Sequence, residues 1–397
     1  MPRYGKQKGA PVARVTVTLR LDPTPAVRDE LIATIERCNE AANWLAGEAF
    51  TAGCTDFDTL SKRHYAELRE RFGLSSQVAL LTSTKVVSAY KHDSSIRPTF
   101  REHGAVPFDR RIYSLDGDTL SIRALTRRIT GIPLRMGALQ RDWLTRGVWK
   151  EADLVVRRGR KKRLDIAITV ELPLPDVAEA SGTLGADLGV VNLLTDSDGN
   201  VYSGEKVDEV REWYADRKAT LQKVGTRSAK RRLRQLSGAE ARFKKNENHR
   251  IAKQTVARAQ GTGRRIALEE LKGIGQRVTV RHSQRARHTS WSFWQLRFFI
   301  AYKAALAGVA VVAVDPRNTS RTCCKCKHCD RRNRRSQAVF QCRRCGFTAP
   351  ADWNAAENIR NKADVTQPMA SHDDAGNVAV RRRDTPPSAD ASLTLSA

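Results

Sequence analysis

Apolar and polar residues alternate near the start of the chain, and the pattern then becomes helical. The alternation over residues 15–21 (VTVTLRL) predicts a β-strand. Thr24 and Pro25 supply an N-cap and a first helical residue. Apolar residues then recur at spacings of three and four, which predicts an amphipathic helix. These residues are Val27, Leu31, Ile35, Cys38, Ala42 and Leu45. Further helices are expected at residues 60–72 and 77–91.

Between residues 97 and 174 the apolar runs become shorter and turn signals appear between them. Turn signals such as Asp116-Gly117 and short apolar runs predict a β-rich segment, closed into a barrel by the N-terminal strand. Residues 183–194 form a near-continuous apolar run that holds one acid, Asp187. A turn at 196–200 and a short strand at 201–203 complete a predicted hairpin. Residues 265–268 form a strand that ends at Glu269.

Two later segments favour a helix and then a strand. Residues 291–306 predict a helix that ends before Gly308, and residues 309–314 predict a buried strand. The polar stretch from about residue 361 to residue 397 has no period and is expected to be disordered.

One region carries a strong positive charge. Residues 217–258 contain 14 Lys and Arg but only two acids, Glu240 and Glu247. Four apolar residues give this region a helical face: Leu233, Leu236, Ala239 and Phe243. The basic face is either simply solvated or binds phosphate, and charge of one sign at this density favours phosphate.

Composition narrows the possible partners. The chain has 397 residues and a net charge of +27, with 70 Lys+Arg against 43 Asp+Glu. This excess favours a polyanion, with nucleic acid as the first expectation and a membrane surface as the rival. No apolar run approaches the roughly 20 residues of a membrane span. We expect a soluble cytoplasmic or nucleoid-associated protein that acts without a membrane.

The cysteines cluster in a way that indicates metal binding. Six of eight lie between Cys323 and Cys345. Two CxxC pairs, Cys323/Cys326 and Cys342/Cys345, are separated by fifteen residues, which is the spacing of a four-cysteine zinc ribbon. Cys326 and Cys329 form an alternative CxxC, but the first pairing keeps the fifteen-residue spacer. Four thiolates leave no open zinc position, so a structural Zn²⁺ is expected.

Three acids lie at or near the ends of apolar elements. Asp187 lies in a strand, Glu269 ends another, and Asp352 opens the helix at 354–359. An ionised carboxylate in an apolar element is costly unless it is paired or binds metal. Oxygen ligands of this kind suit Mg²⁺ or Mn²⁺. Each acid alone could be a surface residue or, for Asp352, an N-cap. Together, in this order, they favour an RNase H-like nuclease.

Five motifs follow one another along the chain: GADLG at 185–189, IALEEL at 266–271, DPRNTS at 315–320, FQCRRCG at 340–346 and ADWNAA at 351–356. In this order they give a specific resemblance to the TnpB (OrfB) family, transposon-encoded relatives of type V CRISPR effectors. Three positions depart from the family pattern. Lys327 replaces the usual glycine after the second cysteine, Glu270 replaces Asp or Asn, and Trp353 is unusually bulky. No catalytic acid is lost.

The resemblance implies an α/β multi-domain organisation. Residues 1–22 and 96–180 would form a β-barrel wedge domain. A helical recognition domain at 23–95 would lie between these two segments in the sequence. An RNase H-like (RuvC) nuclease domain would follow at 181–317, with a zinc ribbon inserted at 318–348. The last RuvC helix would occupy 349–361 and a disordered tail 362–397.

The resemblance also implies a function, an RNA-guided DNA endonuclease encoded by a mobile element. Asp187, Glu269 and Asp352 would bind Mg²⁺ or Mn²⁺ for two-metal phosphodiester hydrolysis. A guide RNA and a target DNA would be its partners. Trp44, Trp291 and Trp294 are candidates for stacking on bases. Two alternatives stay open: a guided repressor or accessory factor that does not cut, and a basic zinc-ribbon DNA-binding protein.

Overall fold

The computed structural model describes residues 11–157, 162–270 and 293–365. The chain divides into two compact units, one ending at Pro173 and the other beginning at Leu174. In the described part of the chain, no helix is long and apolar enough to cross a membrane.

The first unit begins with one strand and three helices. Helices α1 (Pro25–Thr51), α2 (Phe57–Glu70) and α3 (Ser76–Tyr90) lie within a few residues of the expected positions. The Thr24 hydroxyl accepts a hydrogen bond from the Val27 backbone N–H, as its N-cap pattern predicts. Cys38 lies in the core at 2 % exposure, where it packs as a small apolar side chain.

Seven strands form the sheet of the first unit. The strands are β1 (Val12–Leu21), β2 (Val106–Phe108), β3 (Tyr113–Asp116), β4 (Thr119–Arg123), β5 (Arg128–Arg135), β6 (Val148–Arg157) and β7 (Arg163–Pro173). Their order is β2-β6-β7-β1-β5-β4-β3. Helix α4 (Ala138–Arg146) lies between β5 and β6 in the sequence.

The pairing differs from the expected barrel closed by β1. The N-terminal strand is central, since it pairs antiparallel with both β5 and β7. Within the described residues, β2 and β3 are the two edges of the sheet. These strands have only three and four residues, and each pairs with one neighbour. The hydrogen bonding is therefore that of an open sheet.

A five-stranded mixed sheet forms the centre of the second unit. Its strands are β8 (Thr183–Asp187), β9 (Asn192–Asp196), β10 (Val201–Ser203), β11 (Arg265–Glu269) and β12 (Val311–Val314). Their order is β10-β9-β8-β11-β12. The first three strands form an antiparallel meander, while β11 and β12 run parallel to β8. The strand predicted at 309–314 is present as β12, but its expected burial is wrong: within the described residues β12 is an edge strand in which only Val314 is buried.

Two helices, rather than one continuous helix, carry the basic region. Helix α5 (Glu205–Val224) ends at Gly225, whose φ of 68° is a left-handed conformation that glycine adopts without strain. Helix α6 (Arg227–Gly261) then begins after an N-cap at Thr226. Helix α7 (Phe293–Leu306) covers the described part of the helix expected at 291–306; Trp291 lies outside the described residues.

The second unit ends in a small cysteine-rich subdomain and a helix. Strands β13 (Val339–Gln341) and β14 (Thr348–Pro350) form its hairpin, and a 3₁₀ turn spans Arg331–Asn333. Helix α8 (Ala351–Val365) follows directly. The expected end of this helix at residue 361 is wrong, because Ala363 is fully buried and anchors one further turn. The rest of the expected tail, residues 366–397, lies outside the described residues.

Candidate metal centres

The sheet brings two of the predicted acids to the same edge. Strands β8 and β11 are parallel neighbours with Ala186 opposite Leu268, so Asp187 and Glu269 end adjacent strands. Carboxyl ends of parallel strands meet at one edge of a sheet, which is where ligands bind in open α/β folds. The apolar residues of each strand are buried, and only the terminal acid reaches the edge.

Helix α8 contributes the third acid. Asp352 lies in the first turn of α8, after Ala351, so it is not the N-cap. Its Oδ2 accepts a hydrogen bond of 2.8 Å from the Asn192 side chain at the start of β9. Trp353, the bulky departure in this motif, donates from its indole nitrogen to the Ser197 carbonyl at 3.1 Å. These contacts fix the first turn of α8 against the β8–β10 meander.

Asp187 interacts electrostatically with each of the other two acids. Burial raises the pKa of Asp187 well above its usual range, and the nearby charges of Glu269 and Asp352 raise it further. Burial also raises the pKa of Glu269, while a hydrogen bond from Thr319 opposes the shift. The cost of grouping these carboxylates indicates a site built for a cation. The donor set is oxygen alone, which fits Mg²⁺ or Mn²⁺.

Among the described residues, two cations act on the acids, and no pattern in the sequence singles them out. Lys362, on α8, lowers the pKa of Glu269, and Arg334 acts on the other two acids. Arg334 Nη2 lies 3.5 Å from Asp352 Oδ1, and the Arg334 charge lowers the pKa of Asp187. Arg334 follows the 3₁₀ turn of the cysteine-rich subdomain, in an arginine-rich run without periodicity. Two cations beside three acids leave the group incompletely neutralised.

A side chain of α7, Arg297, holds the end of β11 through hydrogen bonds. Arg297 donates to the Glu269 carbonyl at 2.6 Å and to both carboxylate oxygens of Glu270, at 3.1 and 3.2 Å. Glu270 therefore has a clear structural role, although it departs from the family pattern. Its longer side chain reaches the planar guanidinium in a two-pronged arrangement.

The four expected cysteines come together. The sulfurs of Cys323, Cys326, Cys342 and Cys345 lie within 4.8 Å of one another. Cys323 Sγ is 3.7 Å from Cys345 Sγ, and Cys326 Sγ is 3.4 Å from Cys342 Sγ. A tetrahedron with Zn–S bonds of about 2.3 Å has edges of about 3.8 Å, so this donor set fits zinc.

Both cysteine pairs lie in tight turns of the same kind. The Lys327 and Gly346 backbone N–H groups donate to the carbonyls of Cys323 and Cys342, each at 3.0 Å. Lys327 and Gly346 have φ values of 61° and 73°. This left-handed conformation explains why glycine is usual after the second cysteine, and why Lys327 is a strained substitute.

The other two cysteines of the cluster do not join the four sulfurs. Cys329 is exposed and forms an isolated β-bridge with Thr322. Cys324 is partly exposed, and its backbone N–H donates to Asn354. The alternative Cys326/Cys329 pair is therefore not the arrangement that the structure brings together.

Basic side chains surround a cavity next to the acids. The cavity has a volume of about 480 Å³ and is lined by Arg321, Arg331, Arg334, Ser336 and Gln337. Arg334 thus belongs both to this cavity and to the surroundings of Asp352. A phosphate-bearing chain fits such a surface, because three guanidinium groups can donate to its oxygens.

A second basic surface lies at the start of α6. Five exposed cations occupy eight residues: Arg227, Lys230, Arg231, Arg232 and Arg234. Arg227, Arg231 and Arg234 share one helical face through spacings of four and three. Of the four residues expected to form an apolar face in this region, Leu236 is buried and the other three are partly exposed.

The tryptophan candidates differ in exposure. Trp44 packs against His64 and Phe72, with Arg71 over its ring, and this packing favours a structural role. Trp294 is 63 % exposed and stacks on Phe298. An additional exposed aromatic, Trp213 on α5, is covered by Arg217 at 3.9 Å from the ring centre.

Two family models match the chain, from the last strand of the first unit into the second unit. The model "Probable transposase" (OrfB_IS605) matches residues 165–272, and the model "Cas12f1-like, TNB domain" matches residues 293–359. The first match contains Asp187 and Glu269, and the second contains Asp352 and the four cysteines.

Curated relatives are similar over part of the chain. A CRISPR-associated endodeoxyribonuclease Cas12f1 from Sulfoacidibacillus thermotolerans is 30% identical over 228 residues, 52% of each chain. A TnpB-like protein from Methanocaldococcus jannaschii is 26% identical over 267 residues, covering 64% of this chain and 93% of the relative. The putative RNA-guided DNA endonuclease InsQ of Escherichia coli K12 is 29% identical, covering 46% and 49%. The chain spans about half the length of the Cas12f1 relative and of InsQ.

Solved structures share the fold. The chain matches Cas12f1 in a Cas12f1-sgRNA-target DNA complex with a TM-score of 0.60 and 14% identity, covering 88% of this chain and 99% of that one. A mixed α/β chain with a four-cysteine cluster agrees with this likeness. The family matches, together with the similarity to the TnpB-like protein and to InsQ, support the resemblance of this chain to the TnpB (OrfB) family and to its type V CRISPR relatives.

Proposed function

We propose that this protein is an RNA-guided, metal-dependent DNA endonuclease encoded by a mobile element. The observation that carries the proposal is the placement of three acids: Asp187 and Glu269 end adjacent parallel strands, and Asp352, in the first turn of α8, lies near enough for its charge to act on Asp187. Curated relatives of the chain are named endodeoxyribonucleases and a putative RNA-guided DNA endonuclease, which supports this activity.

The second unit is proposed to be an RNase H-like (RuvC) nuclease domain. Its strand order, β10-β9-β8-β11-β12, has an antiparallel meander followed by two strands parallel to β8, and this topology supports the assignment. The cysteine-rich subdomain is then an insertion between β12 and α8. The β-sheet and the helices of the first unit are proposed as the wedge and recognition domains.

The catalytic group is proposed to be Asp187, Glu269 and Asp352, which would hold Mg²⁺ or Mn²⁺. Bound divalent ions would supply the activation of water and the neutralisation of charge on the cleaved phosphodiester. The protein residues orient the ligands: Asn192 donates to Asp352, Thr319 donates to Glu269, and Arg297 holds the Glu269 backbone. Arg334 lies where it can donate to a phosphate oxygen next to these acids.

Zinc is proposed to be structural. Cys323, Cys326, Cys342 and Cys345 would fill its coordination shell and leave no position for a reacting water. The hydrophobic core of the cysteine-rich subdomain is small. Besides Cys323 and Cys342, its buried residues are Phe340 and Ala351. A subdomain with so few buried residues depends on metal for much of its folding free energy.

The partners are proposed to be a guide RNA and a target DNA. The net charge of +27 and the exposed arginines of α6 support a partner rich in phosphate. In such a complex, base pairing reads the sequence and the protein contacts mainly the backbone. The place of action would be the cytoplasm or nucleoid, where DNA is accessible.

The test is a charge-neutral substitution, Asp187→Asn, in the full chain. We expect cleavage of guide-matched DNA to be abolished while the co-purified RNA is retained. Asp198→Asn is the matched control, because Asp198 lies in the same unit, pairs with Arg264 and should leave cutting unchanged. Persistent Mg²⁺-dependent cutting by Asp187→Asn would refute the catalytic assignment. Absence of any defined RNA on the wild-type protein would refute guidance.

A further inference from the structure

The backbone just before the first CxxC contacts both the acid group and α8. Thr319 is 3 % exposed, and its hydroxyl donates to Glu269 Oε1. Its carbonyl accepts a hydrogen bond of 2.9 Å from Asn358 Nδ2. A single residue is therefore bonded to one proposed catalytic acid and to the helix that carries another.

The same side of α8 holds the backbone next to the cysteines. Asn358 Nδ2 also donates to the Thr322 carbonyl at 2.7 Å, and Asn354 Nδ2 donates to that carbonyl at 2.9 Å. Asn354 Oδ1 accepts a hydrogen bond of 3.1 Å from the Cys324 backbone N–H. Asn354 is fully buried and Asn358 is 4 % exposed. These two amides thus bind the chain on both sides of Cys323.

A purely structural role for the two asparagines is the simpler explanation. A structural role does not explain why these buried positions of the helix are polar, when small apolar residues such as Ala355 are buried beside them. Burying an amide costs free energy that its hydrogen bonds only partly return, so an apolar face would pack at lower cost. Hydrogen bonds are directional, so the amides that donate to the carbonyls of Thr319 and Thr322 fix the position of α8 relative to that segment.

These contacts form a continuous path between the two proposed metal sites. Cys323 belongs to the four-sulfur cluster, and its flanking backbone is bonded to Asn354 and Asn358. Asn354 lies two positions after Asp352 on the same helix. At the other end of the path, Thr319 bonds to Glu269.

From these contacts we propose that Asn354 and Asn358 are positioning residues that couple the order of the four-cysteine site to the geometry of Asp352 and Glu269. Zinc binding would fix the backbone at 319–324, and the two amides would transmit that order to α8. The inference rests on the proposed function, because it assumes that the three acids bind divalent metal.

The experiment measures Mn²⁺ binding to the full chain by electron paramagnetic resonance, a readout independent of cleavage. The double variant Asn354→Ala/Asn358→Ala should keep its zinc but bind Mn²⁺ roughly 5- to 30-fold more weakly, the factor expected for the loss of one or two hydrogen bonds. Its kcat for cutting should fall while KM for DNA stays unchanged. Asn358→Ser, which keeps one donor, should recover part of the Mn²⁺ affinity.

The coupling itself is tested by a thermodynamic cycle with Cys345→Ser, which weakens the zinc site. If the asparagines carry the coupling, combining Cys345→Ser with the double variant should weaken Mn²⁺ binding no further than Cys345→Ser alone. Additive effects would overturn the proposal, and so would wild-type Mn²⁺ affinity in the double variant. If the double variant fails to fold, Asn358→Ser alone completes the cycle with the same criteria.

Two controls separate this inference from the proposed function. Asn361 lies about one helical turn beyond Asn358, and its side chain makes no hydrogen bond to another described residue. Asn361→Ala should therefore leave Mn²⁺ binding unchanged. Equal weakening by Asn361→Ala would overturn the proposal. Asp187→Asn should weaken Mn²⁺ binding strongly; if it does not, the proposed catalytic site itself is wrong. If it does while the asparagine variants have no effect, only the coupling is wrong.

Discussion

At Gly185, β8 and α8 approach each other closely, so an added methyl group there tests how α8 sets the acid geometry. A Cβ at Gly185 would lie 2.2 Å from the Ala356 carbonyl oxygen and 2.7 Å from the Arg360 backbone nitrogen. Ordinary contact begins at 3.4 Å. Both neighbours are backbone atoms, so Gly185→Ala requires the helix and strand to separate by about 1 Å, because packed interiors have no free space to absorb the methyl group.

This separation has two measurable consequences. Overpacking of this kind costs about 1–3 kcal/mol of stability. Asp352 moves with α8, and a displacement of about 1 Å at a reacting centre can reduce the rate by about 100-fold. Thermal unfolding and single-turnover cleavage of guide-matched DNA measure the two effects on the same protein sample.

Gly182→Ala is the matched control for this prediction. A Cβ at Gly182 would meet only the Arg264 side chain, at 3.7 Å, which is ordinary contact. We expect this variant to unfold and cut like the wild type. Wild-type cleavage by Gly185→Ala would refute the argument that close packing of α8 on β8 positions Asp352. A large loss in Gly182→Ala would show that any added methyl group in this segment is harmful.

Three further predictions follow from local geometry and charge. Lys327→Gly relieves a φ of 61° and should stabilise the zinc-bound form by about 1 kcal/mol, measured as slower zinc loss to a chelator; faster loss would contradict the strain argument. The raised pKa of Asp187 means that the folded state holds this proton at a pH where the unfolded chain has released it, so the metal-free protein should lose stability as pH rises above the ordinary aspartate range. Asp187→Asn should remove that loss in pH-dependent thermal melts, and identical pH profiles for the two proteins would contradict it. Arg231→Glu/Arg234→Glu should weaken RNA or DNA binding and reduce its salt dependence, by about one unit of log–log slope for each phosphate that the variant no longer neutralises; an unchanged slope would place the nucleic acid elsewhere.

Much of the local structure could be predicted because it depends on neighbouring residues. The period of apolar positions predicts β1 and α1, and a short strand is predicted to end at Glu269; all three elements appear in the structure. No periodicity predicts the left-handed turn at Gly225, which separates α5 from α6. The charge density of this region indicates that the region is exposed, but it does not predict the residue at which a helix ends.

Some predictions failed because burial and pairing depend on distant segments. The strand at 309–314 is apolar in sequence, yet β12 lies at the edge of the described sheet and is only partly buried. The extra turn of α8 through Val365 depends on the burial of Ala363. The composition of residues 362–365 alone looks like the polar tail that follows them.

The sequence by itself determined the candidate chemical groups of this protein: three acids, four cysteines at ribbon spacing, a strong basic excess and ordered motifs that resemble the TnpB (OrfB) family. Only the tertiary structure decided which other residues serve those groups. Asn192 donates to Asp352 and Thr319 to Glu269 across 160 and 50 residues of chain, and the charge of Arg334 acts on Asp187 from a separate subdomain. The reason is physical, since metal-ligand and helix patterns are short-range properties of the chain. Hydrogen bonds between distant elements arise only when β8, β11 and α8 pack together.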